Sequence, residues 1–373
     1  MIECQNFYET LKKAGLEFYA GVPDSLLKNF CFYVDDVLPA SKHVITANEG
    51  SAVGLATGYH MATGKIPVVY LQNSGLGNTV NPLLSIADPE VYSIPMLLII
   101  GWRGEPGVKD EPQHKKQGRV MLEMLKSMEI PYEIIDGTTD INQKVSHAVS
   151  FMIKHKRPFV FAIREGSFGD YKLKGGEKNN YSLTREGTID NLLNSVKPED
   201  VVVCTTGKAS RELYELRIKR QEFDRADFLT VGAMGHCSQI ALGVALQKGN
   251  KRVFCFDGDG AVLMHMGSLA VIGRLTPKNY IHIMINNGAH ESVGGQDTGA
   301  FLVDWSAIAK ACGYKSTFIA KDLLELQEVN KKIANLEGPV FIEIRTSQGS
   351  RKDLGRPKST PIENKEQFMK ALI

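Results

Sequence analysis

Short apolar runs alternate with segments of helical length along almost the entire chain. The clearest example starts with an apolar run at residues 253–256, which has the length of a buried strand. A glycine-rich loop and an apolar stretch of helical length, residues 261–275, come next, and Pro277 ends that stretch. A second strand is predicted at residues 280–285. This strand–loop–helix–strand order is typical of a parallel sheet.

The same rhythm extends over both halves of the chain. Strands are predicted, with helices between them, at 16–20, 43–46, 67–71, 95–100, 131–135, 158–163, 200–204, 227–231, 252–256, 280–285, 315–319 and 339–345. A polar segment without periodicity, 172–181, separates the halves. We therefore predict an α/β fold of two doubly wound parallel-sheet domains, at 1–170 and 184–373, joined by a linker at 171–183.

Composition narrows the class of protein. The 373 residues suit two domains, and 43% apolar with 23% charged residues is typical of a soluble globular protein. A net charge of +2 gives no support for a nucleic-acid partner. The six cysteines form no Cys-x-x-Cys pair, which favours buried free thiols in a reducing, cytoplasmic setting. Neither a signal peptide nor an apolar run long enough to span a membrane is recognisable.

Polar side chains follow the two strands of the central stretch. Asp259 and Asn287 come at predicted strand ends, which lie at one edge of a parallel sheet, where ligands of such sheets bind. Their carboxylate and amide oxygens suit a hard cation such as Mg²⁺ or Ca²⁺. Gly258 and Gly260 would let backbone N–H groups approach a phosphate, and a helix starting at Ala261 would favour its charge. Taken singly, Asp-Gly-Asp-Gly at 257–260 and Asn-Asn-Gly at 286–288 are each more typical of an ordinary turn.

Glu49 follows another predicted strand and starts an apolar helix of small residues. There it could bind a ligand or exchange a proton, or only stabilise the helix dipole. Glycine-bearing turns at three further strand ends suit a ligand lying between two sheets. They span 71–78, 205–208 and 232–236, and they supply Asn73, Thr206 and Gly207 as candidate cofactor-binding residues.

A long segment with little periodicity, 101–118, carries several cations. Long loops in compact domains often close over a site, and these charges suit an anionic substrate; a solvated surface loop is the alternative. His290 follows Asn287 in the chain. It could donate protons near neutral pH, or it could be a structural histidine.

The motifs together resemble a known family. Gly258-Asp259-Gly260, then 25 residues, then Asn286-Asn287 resembles the thiamine diphosphate binding motif, and residues 47–50 resemble the glutamate motif of the same enzymes. In thiamine diphosphate-dependent 2-oxo acid decarboxylases, the half with the glutamate motif precedes the half that binds the metal. The two motifs have the same order in this sequence. The short linker corresponds to their compact two-domain branch. Residues 21–28, 101–118, 205–213 and 286–296 resemble phosphonopyruvate decarboxylases, with sulfopyruvate decarboxylases as close relatives.

The resemblance assigns roles to individual residues. It implies that Asp259, Asn287 (or Asn286) and the backbone carbonyl of Ala289 bind Mg²⁺, and that Glu49 hydrogen-bonds the pyrimidine ring of the cofactor. The remaining cofactor contacts that it implies are those of Gly258, Gly260, Ala261 and Met234, the last of these being the bulky residue over which the cofactor bends.

The reaction implied is loss of CO₂ from phosphonopyruvate to give phosphonoacetaldehyde, a step of phosphonate biosynthesis. The candidate substrate residues are Asp24, Ser25, Arg103, Lys109, Lys208 and Arg211, and those for proton transfer are His114, His236 and His290. The family also implies a homo-oligomer with active sites shared between subunits. Sulfopyruvate decarboxylation, a carboligase and a non-catalytic subunit of the same fold are the alternatives.

Overall fold

The computed structural model describes residues 1–174 and 179–373, and these residues form two compact units. Unit 1 extends over Met1–Gly176 and unit 2 over Glu177–Ile373. The predicted linker, 171–183, includes residues 175–178, which lie outside the described residues. The exact domain limits therefore stay a prediction.

Unit 1 contains a six-stranded parallel sheet with the strand order β2-β1-β3-β4-β6-β5. Its strands are β1 (Tyr19–Gly21), β2 (His43–Ile45), β3 (Val68–Gln72), β4 (Leu97–Gly101), β5 (Tyr132–Ile135) and β6 (Phe159–Ile163). Its α-helices are α1 (Cys4–Lys13), α2 (Lys28–Val37), α3 (Glu49–Thr63), α4 (Leu76–Ser85), α5 (Pro112–Ser127) and α6 (Ile141–His155).

Both faces of this sheet are covered. Successive strand residues point to opposite faces, so on β4 Leu97 and Ile99 enter one core while Leu98 and Ile100 enter the other. The first core includes residues of α1, α2 and α6, and the second includes residues of α3, α4 and α5. Burial on both faces explains why the strands read as continuous apolar runs rather than alternating ones.

Unit 2 contains a second six-stranded parallel sheet, with the order β11-β12-β10-β9-β7-β8. Its strands are β7 (Val201–Cys204), β8 (Ala226–Leu229), β9 (Val253–Gly258), β10 (Tyr280–Asn286), β11 (Ser316–Ala320) and β12 (Val340–Arg345). Its α-helices are α7 (Arg185–Leu192), α8 (Lys208–Lys219), α9 (Cys237–Gln247), α10 (Asp259–Met264), α11 (Ser268–Leu275), α12 (Trp305–Cys312), α13 (Leu323–Ile333) and α14 (Pro361–Ala371).

The two sheets have one topology. When the strands are numbered within each unit, both orders become second, first, third, fourth, sixth, fifth. The direction in which successive strands are added to the sheet therefore changes between the first and third strands. In doubly wound folds, ligands bind at that point, outside the carboxyl ends of the strands. The predicted fold class, two doubly wound parallel-sheet domains, is confirmed.

Two predicted elements were wrong. The helix predicted at 261–275 is two helices, α10 and α11, and α10 already begins at Asp259. The chain leaves helical geometry at His265, whose φ of −132° and ψ of 46° end α10. The segment with little periodicity was predicted to extend over 101–118, but α5 begins within it at Pro112, since proline fits the first turn of a helix.

All six cysteines are free thiols, and all except Cys312 are buried, as the spacing predicted. Among the helices of the two described ranges, none combines the length and the apolar character needed to cross a membrane.

Candidate functional site

Asp259 lies where β9 ends and α10 begins, at the edge of the sheet predicted to bind a ligand. Its side chain is 4% exposed, and Oδ2 accepts a hydrogen bond from Thr298 Oγ1 at 2.5 Å. Burial raises the pKa of Asp259 to about 6, although the Thr298 hydroxyl and nearby backbone N–H groups, including that of Asn287, oppose the rise. Among the residues that the structure describes, no lysine, arginine or histidine forms an ion pair with this carboxylate.

The geometry distinguishes the two neighbouring asparagines. Asn286 is fully buried, and its Nδ2 donates to Glu343 Oε1 on β12 at 2.8 Å. Asn287 lies one residue beyond β10, and its Nδ2 donates to Glu291 Oε2 at 2.8 Å. Because the backbone N–H of Asn287 is among the groups that hydrogen-bond to Asp259, Asn287 is the asparagine that adjoins the carboxylate.

Ala289, the third candidate ligand, is part of the same loop. Its N–H donates to Asn287 Oδ1 at 3.0 Å, and its carbonyl oxygen accepts from the Glu291 N–H at 2.8 Å. A carbonyl or amide oxygen has a second lone pair, so both oxygens keep the capacity to bind a cation. Their role as ligands stays a prediction.

Three predicted site residues meet beside Asp259. A Cβ atom on Gly260 would lie 3.2 Å from His290 Cε1 and 3.3 Å from Met234 Cε, so the absence of a side chain keeps this point open. Burial lowers the pKa of His290 to about 4, and the ring is therefore neutral at pH 7. A neutral imidazole can donate through one nitrogen and accept through the other.

The turn after β7 also reaches this edge. Thr206 Oγ1 accepts from the Gly232 N–H at 2.9 Å, which ties the loop after β7 to the loop after β8. Gly207 has a φ of +97°, a conformation that favours glycine, and it directly precedes α8. A Cβ atom there would lie 3.5 Å from Ser292 Oγ. The predicted turn therefore lies against the loop that comes after Asn287.

The two cations of α8 have protein partners. Lys208 Nζ donates to Glu291 Oε1 at 2.7 Å. Arg211 Nε donates to the Gly355 carbonyl at 2.6 Å, and Nη2 donates to the Leu354 carbonyl. Their assignment to substrate binding stays a prediction, and this geometry does not favour it, because both side chains already serve to hold the protein together.

His236 lies on the surface at the start of α9. Its ring packs edge to face against His265, with ring centroids 4.5 Å apart, and its Nδ1 lies 3.2 Å from the Ala233 carbonyl oxygen. The loop that contains Met234 thus contains His236 as well, and the atoms nearest to a Cβ atom on Gly260 belong to His290 and Met234.

Glu49 of unit 1 is the first residue of α3, and it is buried. Asn48 caps the helix by accepting from the Ser51 N–H at 2.9 Å, which leaves Glu49 free to turn inward. Glu49 Oε2 accepts from Asn78 Nδ2 at 2.7 Å. A Cβ atom on Gly75 would lie only 2.1 Å from Glu49 Oε1, so this glycine is required for the observed position of the carboxylate.

Asn73 follows β3, and its amide is used within unit 1. Nδ2 donates to the Arg103 carbonyl at 2.7 Å, and Oδ1 accepts from the Arg103 N–H at 3.2 Å. The side chain thereby joins the ends of β3 and β4. A contact of this amide with a cofactor stays a prediction that these bonds do not favour.

Arg103 is the best-paired cation of the predicted loop. Its Nε donates to Asp110 Oδ2 at 2.8 Å, Nη2 donates to Asp110 Oδ1, and Nη1 donates to Ser25 Oγ at 2.7 Å. Burial would raise the pKa of Asp110, but hydrogen bonds from Arg103 and from the Glu111 and Gly104 N–H groups outweigh it and hold that pKa below its usual range. Arg103 thus organises the loop around itself.

The remaining candidates of unit 1 differ in exposure. Asp24 is fully buried and accepts from Gln72 Nε2 at 2.7 Å and from two backbone N–H groups, an arrangement that supports the chain before α2. Lys109 is exposed. His114 lies in the first turn of α5, where burial, and then the charge of Arg103, lower its pKa.

Sequence reasoning missed several residues that complete these arrangements. Asn78 binds Glu49, Thr298 binds Asp259, Asp110 binds Arg103, and Glu291 binds Asn287. Asn78, Asp110 and Glu291 lie within segments that the sequence singled out, 71–78, 101–118 and 286–296, whereas Thr298 lies outside them. Which side chain each of them contacts becomes visible only in the folded structure.

Two family models match the chain, one in each unit. The family model described as "Thiamine pyrophosphate enzyme, N-terminal TPP binding domain" matches residues 4–128, and "Thiamine pyrophosphate enzyme, C-terminal TPP binding domain" matches residues 203–344. Thiamine pyrophosphate is another name for thiamine diphosphate. The first match lies within unit 1 and the second within unit 2, which supports this cofactor.

Curated relatives match over nearly the full chain. Phosphonopyruvate decarboxylase of Streptomyces viridochromogenes is 35% identical, over 99% of this chain and 94% of the relative. Phosphonopyruvate decarboxylase of Streptomyces hygroscopicus is 33% identical, over 99% and 93%. Sulfopyruvate decarboxylase of Methanosarcina acetivorans is 28% identical, over 98% and 96%. The chain therefore belongs to the thiamine pyrophosphate enzymes, in the family that contains the phosphonopyruvate decarboxylases.

Proposed function

We propose that the protein is a thiamine diphosphate- and Mg²⁺-dependent decarboxylase that converts 3-phosphonopyruvate to 2-phosphonoacetaldehyde and CO₂. The observation that carries the proposal is the pair of buried carboxylates at strand ends, Asp259 in unit 2 and Glu49 in unit 1, within a chain whose relatives include phosphonopyruvate decarboxylases. The place of this reaction is phosphonate biosynthesis, and the setting is the cytoplasm.

The residues around Asp259 fit a divalent cation. Removing a carboxylate from water is costly, and the Thr298 hydroxyl and the nearby backbone N–H groups supply only neutral donors to Asp259. Mg²⁺ prefers oxygen ligands and is usually held by one or two carboxylates together with phosphate oxygens. We therefore assign the Asp259 carboxylate, the Asn287 amide oxygen and the Ala289 carbonyl oxygen as its protein ligands.

The residues also fit the cofactor. When bound, thiamine diphosphate supplies the electron sink for the loss of CO₂. Glu49 provides a buried carboxylate, held by Asn78, that hydrogen-bonds and exchanges a proton with a ring nitrogen. Gly260, which has no side chain, and Ala261 would contact the diphosphate, and Met234, whose Cε lies close to Gly260, would support the cofactor.

His290 is the proton carrier that this arrangement supports best. Its ring lies beside Gly260 and is neutral at pH 7 because burial lowers its pKa to about 4. His236 is exposed at the start of α9, and we keep it and His114 as secondary candidates for proton transfer. Lys109 is exposed in the segment that precedes α5, and we assign it to the anionic group of the substrate.

Sulfopyruvate decarboxylation is the second candidate, because the sulfopyruvate decarboxylase of Methanosarcina acetivorans also matches 98% of the chain. The two substrates differ in the charge of the anionic group. The experiment that separates them measures CO₂ release by the purified protein with thiamine diphosphate and Mg²⁺, using phosphonopyruvate, sulfopyruvate and pyruvate. We expect phosphonopyruvate to be preferred; a preference for sulfopyruvate would replace the substrate but retain the mechanism.

Glu49→Gln tests the mechanism. The glutamine oxygen can still accept from Asn78, so we expect folding and cofactor binding to persist, while turnover falls by about 10²- to 10⁴-fold because the exchangeable carboxyl proton is lost. Thermal unfolding, calorimetric titration with thiamine diphosphate and a steady-state CO₂ assay measure the three quantities. Retained turnover would rule out this role for Glu49.

The proposal includes a homo-oligomer in which Glu49 of one subunit and Asp259 of another act on the same cofactor. It is supported by the family resemblance, in which the two halves of a site come from different subunits. Sedimentation velocity under assay conditions tests it, since a monomer with full activity would exclude shared sites.

A further inference from the structure

Glu291 receives three hydrogen bonds in unit 2. Asn287 Nδ2 donates to its Oε2 at 2.8 Å, Arg185 Nη1 donates to the same oxygen at 2.7 Å, and Lys208 Nζ donates to Oε1 at 2.7 Å. The side chain is 13% exposed, and the side chain of Arg185 is 9% exposed. Glu291 therefore connects the loop after β10 with helices α7 and α8.

A second carboxylate completes the arrangement. Arg185 Nε and Nη2 donate to the two oxygens of Glu212 at 2.7 and 2.8 Å, and the Glu212 side chain is 1% exposed. The two cations, Arg185 and Lys208, balance the charges of Glu212 and Glu291. The group can thus contact Asn287 without adding net negative charge that would compete with Asp259 for a cation.

These contacts determine the orientation of the Asn287 side-chain amide. A carboxylate can only accept, so the group facing Glu291 must be the NH₂ of Asn287. The backbone N–H of Ala289 can only donate, so the group facing it, at 3.0 Å, must be the amide oxygen. Two partners with opposite requirements therefore exclude a flipped amide.

We propose that Glu291 is a positioning residue for Mg²⁺: it holds the Asn287 amide with its oxygen available as a ligand, while Arg185 and Lys208 hold Glu291. The inference rests on the proposed function, in which Asn287 binds the metal. Groups that orient metal ligands commonly contribute 10- to 100-fold to metal affinity, because a ligand that rotates freely must be ordered when the ion binds.

The arrangement also explains why α8 offers no free charge to a substrate at Lys208. Its ammonium group is committed to Glu291, and a neutral replacement there should change metal affinity before it changes the affinity for substrate. This separates a positioning role from a direct role in binding the substrate anion.

Two variants of Glu291 test the proposal. Glu291→Ala removes the acceptor, and we expect the Kd for Mn²⁺, measured by electron paramagnetic resonance with thiamine diphosphate present, to rise about 10- to 100-fold. Glu291→Gln keeps one acceptor oxygen for Asn287 and should lie between the wild type and the alanine variant. It also remains informative if the alanine variant does not fold.

A matched control is Glu222→Gln. Glu222 accepts from Arg217, and its side chain is 21% exposed, but it has no contact with Asn287. We expect the Mn²⁺ Kd to stay at the wild-type value, even where the melting temperature without metal falls. A purely structural role of Glu291 would lower the melting temperature and leave the Kd unchanged, and that result would overturn the proposal.

A double-mutant cycle completes the test. If Glu291 acts through Asn287, Glu291→Ala should have little further effect on the Mn²⁺ Kd in an Asn287→Ala background; fully additive losses would contradict the proposal. Failure of the proposed function itself has a different signature. In that case the wild-type protein would bind neither Mn²⁺ nor thiamine diphosphate, irrespective of residue 291.

Discussion

The two units share a strand order but carry different residues just beyond their third and fourth strands. In unit 1 these positions hold Asn73 and Arg103, and the Asn73 amide binds both backbone groups of Arg103. In unit 2 they hold Asp259 and Asn287, with a buried carboxylate that has no cationic partner among the described residues. Hydrogen bonds within the protein therefore close this edge in unit 1, whereas the edge of unit 2 holds the carboxylate to which we assign the proposed cation.

The difference shows that two sheets of the same topology can carry their buried carboxylates at different strand ends. Unit 1 places its buried carboxylate, Glu49, after its second strand, where Gly75 and Asn78 make room for it and hold it. In unit 2, the flexible side chain of Met234 follows the second strand, β8, and the carboxylate of Asp259 follows the third strand, β9. Backbone topology thus fixes where chemistry can occur, and the strand-end residues decide which chemistry it is.

A substitution of Asp259, which has no cationic partner among the described residues, should have the largest effect. For Asp259→Asn we expect Mg²⁺-dependent binding of thiamine diphosphate to weaken by more than about 100-fold, since even residues behind a ligand contribute up to that amount. The melting temperature without metal should hold or rise, because a neutral amide is easier to bury. Calorimetric titration and differential scanning calorimetry measure the two effects. Unchanged metal affinity would mean that the edge of unit 2 is as closed as that of unit 1.

Gly75→Ala tests the carboxylate pocket of unit 1. The added methyl group would lie 2.1 Å from Glu49 Oε1 and must displace it, and a misplacement of about 1 Å can reduce kcat by about 100-fold. Gly77→Ala is the control, because a Cβ atom at Gly77 meets nothing within 4 Å. It should leave kcat unchanged and stabilise α4 by about 1 kcal/mol. Equal effects of the two changes on kcat would show that Gly75 has no special relation to Glu49.

Asn73→Ala tests the edge of unit 1 that hydrogen bonds close, and it should have the smallest effect on activity of the three substitutions. Losing the amide removes the side-chain donor to the Arg103 carbonyl, while the Arg103 N–H keeps the Gly101 carbonyl as an acceptor at 3.2 Å. We therefore expect the free energy of unfolding to fall by about 1–3 kcal/mol, with metal affinity unchanged. Urea denaturation and Mg²⁺ titration give the two values. Ser74→Ala, at the neighbouring exposed position, should change stability by less than about 0.5 kcal/mol. A selective loss of cofactor affinity in Asn73→Ala would instead support the direct contact predicted from the sequence.

The sequence predicted the positions of the principal residues because those positions depend on local order along the chain. Glu49 and Asp259 both follow apolar runs and precede helices, and such strand ends meet at one edge of a parallel sheet. The resemblance of the short motifs then added roles that position alone does not give. The equal strand order of the two units was not predicted, since their sequences show no repeat that reveals it.

The sequence did not predict which protein groups pair with the candidate cations. Arg211 looked like a free cation on a helix, yet it binds carbonyl groups of Leu354 and Gly355 more than 140 positions away. Arg103 was read as a cation for the substrate, but it pairs with Asp110, and Lys208 pairs with Glu291. Charge patterns state which groups need partners; only the fold decides whether the partner is a protein group or a ligand.

Because all six strands of unit 1 come from one continuous segment, between Tyr19 and Ile163, this sheet needs nothing that is synthesised later. At a synthesis rate of 5–20 residues per second, the ribosome takes on the order of 10–40 s to add the rest of the chain. Unit 1 can therefore begin its slow parallel pairing on the ribosome while the strands of unit 2 are still being synthesised. The order of the two units along the chain thus also orders their folding in time.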